Sequence, residues 1–231
     1  MFCTRVSCDR LAFVNREQTR TAFSGIDEVM AGWLSGGVAG EFTARVSTSP
    51  VPQITAPWPP WLHLQTLQAL TAMGIKNPYT HQAQAWNAIA AGRHTVIATP
   101  TASGKTLCYN VPVLNRLLGD PGARALYLFP TKALARDQEA AIRKLVALSG
   151  ADIKAVVYDG DTPAEVRRTA RRDARIIITN PDMLHTGILP HHAAWSHFFS
   201  GLSHLVVDEL HQYRGVFGSH VANVLRRLRR V

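Results

Sequence analysis

The chain has little cysteine and no long apolar run. Among its 231 residues are three cysteines, Cys3, Cys8 and Cys108, and they include no CxxC pair. Such an odd and sparse set excludes a disulfide scaffold and a zinc ribbon, and it is typical of a reducing cytoplasm. No apolar stretch approaches the roughly 18 residues of a transmembrane helix, and no secretory signal is visible. We therefore expect a cytoplasmic protein without a membrane partner.

Acidic residues are in the minority. Asp and Glu number 16 against 25 Lys and Arg, which gives a formal net charge of +9. This excess favours a polyanionic partner, although net charge bears on association and not on fold. Hydrophobic residues make up 46% of the chain and charged residues 18%, which excludes a disordered chain. The length fits one domain with a small appendage.

The pattern of the sequence changes near residue 60. Residues 1–60 carry three prolines within positions 57–60 and show little apolar periodicity. We expect a poorly ordered N-terminal extension there, with one short helix around Ile26–Leu34. Residues 61–231 are expected to form the functional lobe.

Helical and strand-like patterns alternate from residue 62 onward. Two amphipathic stretches, Leu62–Met73 and His81–Ala91, are followed by glycines and predict helices. Because the apolar runs that follow are not alternating, they predict strands buried on both faces, in an α/β fold with a mostly parallel sheet and helices on both faces. Ligands of such sheets bind at the carboxyl ends of the strands. The runs are Thr95–Ala98, Ala125–Phe129, Ala155–Tyr158, Arg175–Thr179 and Leu202–Val207.

A phosphate-binding loop is predicted after the first of these runs. The pattern GxxxxGK[ST] is met at Gly104, Lys105 and Thr106, with Thr99 in place of the first glycine. Backbone N–H groups of such a loop surround phosphates, the lysine neutralises them, and the hydroxyl of Thr106 binds Mg²⁺. The alternative is a chance Gly-Lys-Thr, but the predicted strand before it and helix after it favour the functional interpretation.

A pair of carboxylates follows the last apolar run. Asp208 and Glu209 come directly after Leu202–Val207 and are expected at the same edge of the sheet as the phosphate loop. Asp208 would hold Mg²⁺ through water, and Glu209 would orient and deprotonate the attacking water. The alternative is a solvated Asp-Glu at the end of a strand, which would have to coincide by chance with the phosphate loop.

Several motifs resemble those of superfamily-2 DEAD/DEAH-box helicases. The stretch Thr101–Thr106 with Asp208-Glu-Leu-His211 carries the resemblance, and Tyr79–Gln82, Pro130–Ala135 and Thr179–Asp182 lie in the family's order. The closest subgroup is the mitomycin-repair-factor-A (YprA-like) helicases, which act in DNA repair. Its motifs are matched by Tyr158–Asp161, Asn180–His185, Ile188–His192 and Tyr213–His220. The resemblance implies that residues 61–231 form the first RecA-like P-loop NTPase lobe of an ATP-dependent DNA helicase.

The resemblance assigns a nucleotide site with ATP and Mg²⁺ as cofactors. Glu209 is the expected catalytic base, assisted by Lys105 and Asp208, and Thr106 and Asp208 are the expected Mg²⁺ ligands. Gln82 is expected to read adenine, although a polar residue on a helix surface is the simpler interpretation of that residue alone. The residues expected at ATP are Tyr79, Gln82, Thr101, Ala102, Ser103, Gly104, Lys105 and Thr106.

The resemblance also assigns a nucleic-acid surface. Its partner would be single-stranded or partly duplex DNA, and the expected backbone contacts do not distinguish DNA from RNA. Ordinary helix capping by Thr131 and Asn180 is the alternative, and both interpretations can hold together. His211 is expected to couple the two sites, against an ordinary exposed or core histidine. The expected nucleic-acid residues are Pro130, Thr131, Lys132, Gly160, Thr179, Asn180, Pro181 and Asp182.

A helicase of this superfamily needs a second RecA-like lobe, which supplies an arginine finger. Only about 20 residues follow the acidic pair here, so we expect that lobe to be missing from this sequence and the chain alone to bind Mg-ATP weakly and hydrolyse it poorly. We expect a nucleoid-associated protein of the cytoplasm. The alternative functions are a non-catalytic nucleic-acid-binding or scaffolding fragment and a P-loop ATPase of another class.

Overall fold

The structure, a computed structural model, describes residues 31–32, 54–100 and 103–231. The chain divides into a first unit, residues 1–51, and a second unit, residues 52–231. Of the first unit only Ala31 and Gly32 are described, and both are helical. They fall within the helix predicted around Ile26–Leu34, the rest of which lies outside the described residues.

The second unit alternates helices and strands. Its strands are β1 Arg124–Leu128, β2 Ala155–Val157, β3 Ile176–Thr179 and β4 Leu202–Val207. Its α-helices are α1 Leu64–Ala72, α2 Thr80–Ala90, α3 Lys105–Gly119, α4 Lys132–Leu148, α5 Ala164–Asp173, α6 Pro181–Met183, α7 Ser196–Ser200 and α8 Gly215–Leu228. A π-helical turn, Leu184–Ile188, and two 3-10 segments, Leu189–Trp195 and Leu210–Gln212, complete it. Within the described ranges, no helix combines the length and apolarity needed to cross a membrane.

The sheet has the order β2-β3-β1-β4, and every pair in it is parallel. The parallel α/β fold predicted from the sequence is therefore confirmed. Leu128 at the end of β1 lies opposite Thr179 of β3 and Val207 of β4. Because these ends are in register, the residues that follow the three strands meet at one edge of the sheet.

The predicted strand Thr95–Ala98 is wrong. Residues 93–100 form neither helix nor strand, and none of the described segments pairs with them. Val96 remains 79% exposed. An apolar run becomes a strand only when a neighbouring strand completes its hydrogen bonds, and none of the four described strands pairs with this run.

The sheet has helices on both faces, and β1 and β3 are buried throughout, as the apolar runs predict. The same prediction is wrong for β4, because this edge strand leaves Ser203 and Leu205 exposed. Ala125 and Tyr127 of β1 pack in one core with buried residues of α1 to α4. Leu126 and Leu128 of the same strand pack in a second core with α5, α7 and α8. Burial of each such leucine contributes about 1.5–3 kcal/mol, so the two cores fix the pleat of β1 and therefore the direction of its carboxyl end.

Residues 54–61 pack against the helices that precede the phosphate loop. Thr55 forms an antiparallel bridge with Tyr79. The ring of Trp58 stacks on that of Trp86 with 6.3 Å between centroids. Trp61 donates from Nε1 to Asn87 Oδ1 over 2.9 Å. These contacts hold the turn at Tyr79, which leads into α2.

Candidate functional site

The start of α3 forms the described part of the phosphate loop. Gly104 is the N-cap of α3 and has a φ of 76°, in the left-handed region that favours glycine. A Cβ at this position would lie 2.6 Å from Gln82 Nε2, so the Gln82 amide would have to shift from its hydrogen bond to Gly104 O. Thr101 and Ala102, both predicted to contact ATP, lie outside the described residues. The first turn of α3 leaves backbone N–H groups available to an anion.

Lys105 contacts the backbone of its own loop. Its Nζ donates to the carbonyl oxygens of Thr99, over 2.5 Å, and of Pro100, over 3.2 Å. Phosphate oxygens form stronger, charge-assisted hydrogen bonds than neutral carbonyls, so a nucleotide can draw this amine away from the loop. The hydroxyls of Thr99 and Ser103 lie 2.7 Å apart. Thr99, which replaces the usual first glycine, thus closes the loop through its side chain.

Gln82 and its neighbours lie against the phosphate loop. The side chain of Gln82 is buried, with Nε2 donating to Gly104 O over 3.1 Å and Oε1 accepting from Tyr79 N over 2.9 Å. The ring of His81 stacks near that of Tyr79, and its Nε2 lies 3.0 Å from Ser103 O. One amide hydrogen and one lone pair of Gln82 remain for a ligand. Adenine recognition by Gln82 and Tyr79 stays a prediction.

Asp208 is held in place from three directions at the carboxyl end of β4. Its backbone N–H donates to Leu128 O over 3.1 Å. Its Oδ1 accepts from Glu209 N over 2.8 Å, and its Oδ2 accepts from Tyr109 Oη over 2.8 Å. Tyr109 also lies 3.2 Å from Gln138 Oε1 of α4. The carboxylate is therefore oriented toward the helix that carries Lys105 and Thr106.

Tyr109 is a residue of the site that the sequence did not reveal. It follows Thr106 by three positions on α3, which places both side chains on the same face of the helix. If Thr106 is expected to face the carboxylates, this spacing predicts that Tyr109 faces them too. Burial, together with the charge of Asp208, raises the pKa of Tyr109 far above its usual value, so its hydroxyl remains a donor.

Glu209 has a strained backbone. Its φ of 50° and ψ of 41° are left-handed, and it is the one non-glycine residue among those described with a positive φ. A residue of this kind stores about 1–3 kcal/mol of strain, and such strain concentrates at functional sites. Its Oε2 lies 3.2 Å from His211 Nδ1. The structure thus places His211, the predicted coupling residue, next to the predicted catalytic carboxylate.

Tyr213 is a second tyrosine beside the acidic pair that the sequence did not reveal. Its Oη is buried and has no hydrogen-bond partner among the residues that the structure describes. Burial, with further contributions from Asp208 and Glu209, raises the pKa of Tyr213 to about 12. The ring packs on Phe217 of α8 with 5.5 Å between centroids. The hydroxyl therefore stays neutral at the edge of the site.

The loops after β1 and β3 are held by helix caps, as the capping interpretation predicts. Thr131 Oγ1 accepts from Leu134 N over 3.3 Å, and Asn180 Oδ1 accepts from Met183 N over 2.7 Å. Thr179 is buried, and its hydroxyl donates to Tyr158 O over 2.6 Å. The side chain of Thr179 thus ties the ends of β3 and β2 together.

The other predicted nucleic-acid residues lie on the same edge of the sheet. Pro130 follows β1, and Pro181 is the first residue of α6. Gly160 belongs to the turn after β2, where its carbonyl accepts from Arg167 over 3.1 Å. Lys132 Nζ lies 2.6 Å from Asp161 Oδ2, and Asp182 Oδ1 lies 3.7 Å from His220 Nε2. The fold thus gathers the predicted residues that the structure describes at one edge.

Known proteins are similar to this chain in sequence. The sequence profile of the DEAD/DEAH box helicase family matches residues 79–231. The chain is 52% identical over 177 residues to the ATP-dependent helicase YprA of Bacillus subtilis (strain 168), an alignment that covers 77% of this chain and 24% of YprA. It is 50% identical over 161 residues to the ATP-dependent helicase HRQ1 of Saccharomyces cerevisiae, covering 69% of this chain and 15% of HRQ1.

A solved structure resembles the lobe as well. The chain superposes with a TM-score of 0.77 and 51% sequence identity on the DUF1998 helicase MrfA in its crystal structure bound to DNA and AMPPNP. The superposition covers 79% of this chain and 26% of MrfA. The chain therefore spans about a quarter of YprA and of MrfA, and less of HRQ1.

Proposed function

Because the chain belongs to the DEAD/DEAH box helicase family, we propose that residues 61–231 form the ATP-binding lobe of a helicase that uses ATP hydrolysis to move along single-stranded DNA in DNA repair. The observation that carries the proposal is the hydrogen bond between Tyr109 Oη and Asp208 Oδ2. It joins the phosphate-loop helix to the acidic pair at the sheet edge where ligands of parallel folds bind.

In this proposal Lys105 and the first turn of α3 bind the phosphates of ATP, and Tyr79 and Gln82 meet the adenine. The Thr106 hydroxyl and the Asp208 carboxylate are hard oxygen donors, which suit Mg²⁺. In the described part of the chain, no three His, Cys, Asp or Glu side chains cluster as a metal cage. This fits Mg²⁺, which binds one or two protein oxygens together with phosphates and waters. When bound, the ion spreads the negative charge of the phosphates.

Glu209 is the proposed base. Its carboxylate orients a water molecule for attack on the terminal phosphorus and accepts the proton that the water loses. His211 lies 3.2 Å from this carboxylate and restricts its rotation. The left-handed backbone of Glu209 also fixes the direction in which its side chain points away from the end of β4.

The loops after β1, β2 and β3 are the proposed nucleic-acid surface. Lys132 and the polar groups of Pro130–Lys132, Gly160 and Thr179–Asp182 would contact sugar and phosphate, so binding is expected to be independent of base sequence. The net charge of +9 supports a polyanionic partner, and the DNA in the MrfA structure supports DNA as that partner. Association with the nucleoid follows from this partner.

The relatives extend well beyond the region they share with this chain, which covers 24% of YprA. We propose that a second RecA-like lobe outside these residues completes the ATP cleft and supplies an arginine. Such an arginine contributes about 10³–10⁵-fold to the rate in comparable enzymes. The chain alone is then expected to bind ATP and to hydrolyse it slowly.

Calorimetry of Mg-ATP binding tests this function. The chain is titrated with and without single-stranded oligothymidylate, beside Lys105→Ala and the control Lys144→Ala, which alters an exposed lysine of α4. We expect the wild type and Lys144→Ala to bind ATP equally and Lys105→Ala to lose binding. If all three folded proteins bind equally weakly, or none binds at millimolar ATP, the nucleotide site is refuted and a scaffolding role is favoured.

A further inference from the structure

One ion pair crosses the proposed nucleic-acid surface. Lys132 is the first residue of α4 after β1, Asp161 lies in the turn after β2, and Lys132 Nζ is 2.6 Å from Asp161 Oδ2. In the sheet, β3 lies between β1 and β2. The pair therefore spans the carboxyl end of β3, where Thr179 and Asn180 lie. A strand of nucleic acid on this surface would meet the pair.

The turn that carries Asp161 is fixed by its own contacts. Asp159 is 5% exposed, and its Oδ1 accepts from the backbone N–H of Asp161 over 2.9 Å. Arg167 donates to the carbonyl oxygens of Asp159, over 2.8 Å, and of Thr162, over 2.8 Å. The Arg167 guanidinium also lies over the Tyr158 ring, 5.3 Å from its centroid. The position of Asp161 is thus determined without the lysine.

The ion pair itself contributes little to folding. The side chain of Lys132 is 48% exposed and that of Asp161 is 64% exposed. Exposed pairs of this kind typically shift an equilibrium by no more than about fivefold. Hydrogen bonding and attraction from Lys132, with a smaller effect of Arg136, lower the pKa of Asp161, so its carboxylate is ionised at neutral pH. The lysine is therefore neutralised by a fixed anion that a stronger anion can displace.

We propose that Asp161 is an internal competitor of nucleic-acid phosphate for Lys132. In the free lobe its carboxylate occupies the place of a backbone phosphate, and a bound strand replaces it. The inference rests on the proposed function, because it assumes that Lys132 contacts nucleic acid. In this proposal Asp161 weakens the binding of nucleic acid, so the contact between Lys132 and a phosphate can break and form again as a strand moves across the lobe.

Fluorescence anisotropy with a labelled oligothymidylate of about 20 nucleotides, at about 50 and about 200 mM KCl, tests the competition. The proteins are the full chain, Asp161→Asn, Lys132→Gln and the double variant. The matched control is Asp173→Asn, which removes the same charge at the end of α5. Asp173 is also paired with a lysine, Lys154 at 3.5 Å, but it precedes β3 and so lies at the opposite edge of the sheet.

We expect Asp161→Asn to bind about three- to fivefold more tightly at the lower salt concentration, with a smaller gain at the higher one. The gain should vanish in the Lys132→Gln background, and Asp173→Asn should stay within about twofold of the wild type. Circular dichroism confirms folding, and Asp161→Ser replaces Asp161→Asn if the latter is unfolded.

Three results separate the inference from the function on which it rests. If Lys132→Gln weakens binding but Asp161→Asn binds no more tightly than Asp173→Asn, the competition is refuted and the nucleic-acid site stands. If Asp161→Asn weakens binding, Asp161 positions the lysine and the competition is again refuted. If the chain does not bind, or Lys132→Gln binds as the wild type does, the nucleic-acid site fails and the inference fails with it.

Discussion

Tyr109 Oη donates a 2.8 Å hydrogen bond to Asp208 Oδ2 across 99 positions of sequence. Tyr109 lies on α3, one turn after Lys105 and Thr106, whereas Asp208 follows β4. The bond therefore fixes the acidic pair relative to the phosphate loop. The helix proposed to bind the phosphates of ATP and the carboxylate proposed to bind Mg²⁺ are in this way joined by one hydrogen bond.

Replacement of this tyrosine tests the arrangement. Tyr109→Phe keeps the buried ring and removes the donor, and hydrogen bonds to charged groups contribute about 1.5–3 kcal/mol. We expect the free energy of unfolding to fall by about 1–2 kcal/mol and Mg-ATP to bind more weakly. Binding of ATP in EDTA should change less, because the effect acts through Asp208. Equal losses with and without Mg²⁺ would show that Tyr109 is only a packing residue.

Gly104→Ala should be more harmful than the same change at another left-handed glycine, because the Gln82 amide must also shift from its hydrogen bond to Gly104 O. At Gly104 the new Cβ would lie 2.6 Å from Gln82 Nε2, whereas at Gly150, with a φ of 69°, nothing lies within 4 Å. The strained backbone alone costs about 1–2 kcal/mol, and this is the loss we expect for Gly150→Ala. Gly104→Ala should lose more stability in urea unfolding and should also lose ATP binding. Similar losses in the two variants would contradict the clash.

Local patterns of the sequence are sufficient for much of this fold and site. The runs that became β1 to β4 are mostly apolar, although that of β4 contains Ser203 and His204, and Gly104, Lys105 and Thr106 are adjacent in the chain. A short stretch of sequence is therefore enough to find them. The run Thr95–Ala98 looks the same in such a stretch, but its strand character depends on a partner that no local pattern reports. The strand propensity of Thr95–Ala98 is therefore not sufficient without a partner strand to accept its hydrogen bonds.

The residues that sequence analysis missed depend on contacts between distant segments. Tyr109 matters because α3 packs beside the end of β4, and Asp161 matters because β3 lies between β1 and β2 in the sheet. Residue type predicts neither the contact between α3 and β4 nor the order of the strands, because both are set by packing of the whole lobe. The buried position of Gln82 between Tyr79 and Gly104 is of the same kind.

Tyr213→Phe is expected to stabilise the lobe. The buried hydroxyl of Tyr213 has no hydrogen-bond partner in the described part of the chain. Such a hydroxyl costs roughly 1–3 kcal/mol, and the variant removes it while the ring remains. We expect the free energy of unfolding in urea at neutral pH to rise by about 1 kcal/mol. A loss of similar size would show instead that the hydroxyl has a favourable interaction in solution.

The same variant should change how stability depends on pH. The pKa of Tyr213 is raised in the folded lobe to about 12 from its usual value of 10.0, so the folded state binds the proton more tightly than the unfolded state. The contribution of Tyr213 to the free energy of unfolding is fully present below about pH 10 and is lost as the pH rises toward the pKa of the folded state. Unfolding at about pH 8 and about pH 11 should therefore show a smaller alkaline loss in Tyr213→Phe than in the wild type.

Glu209→Gly should stabilise the lobe although it removes the proposed base. Glycine adopts the φ of 50° found here without the penalty of about 1–2 kcal/mol that a side chain carries, and its greater freedom in the unfolded chain offsets part of that gain. We expect a net increase of about 0.5–1 kcal/mol in the free energy of unfolding. The control Glu165→Gly, in the first turn of α5, should instead lose stability by about 1 kcal/mol.

The rate of ATP hydrolysis by the same variant tests whether the backbone strain at Glu209 serves the reaction. A general base contributes about 10²–10⁴-fold to a rate, so phosphate release by Glu209→Gly should fall by that factor wherever the wild-type rate can be measured, while ATP binding persists. A variant that is more stable and less active shows that the left-handed backbone is retained for the position of the carboxylate. A variant that is less stable and equally active would show that the backbone strain serves no function and that Glu209 is not the base.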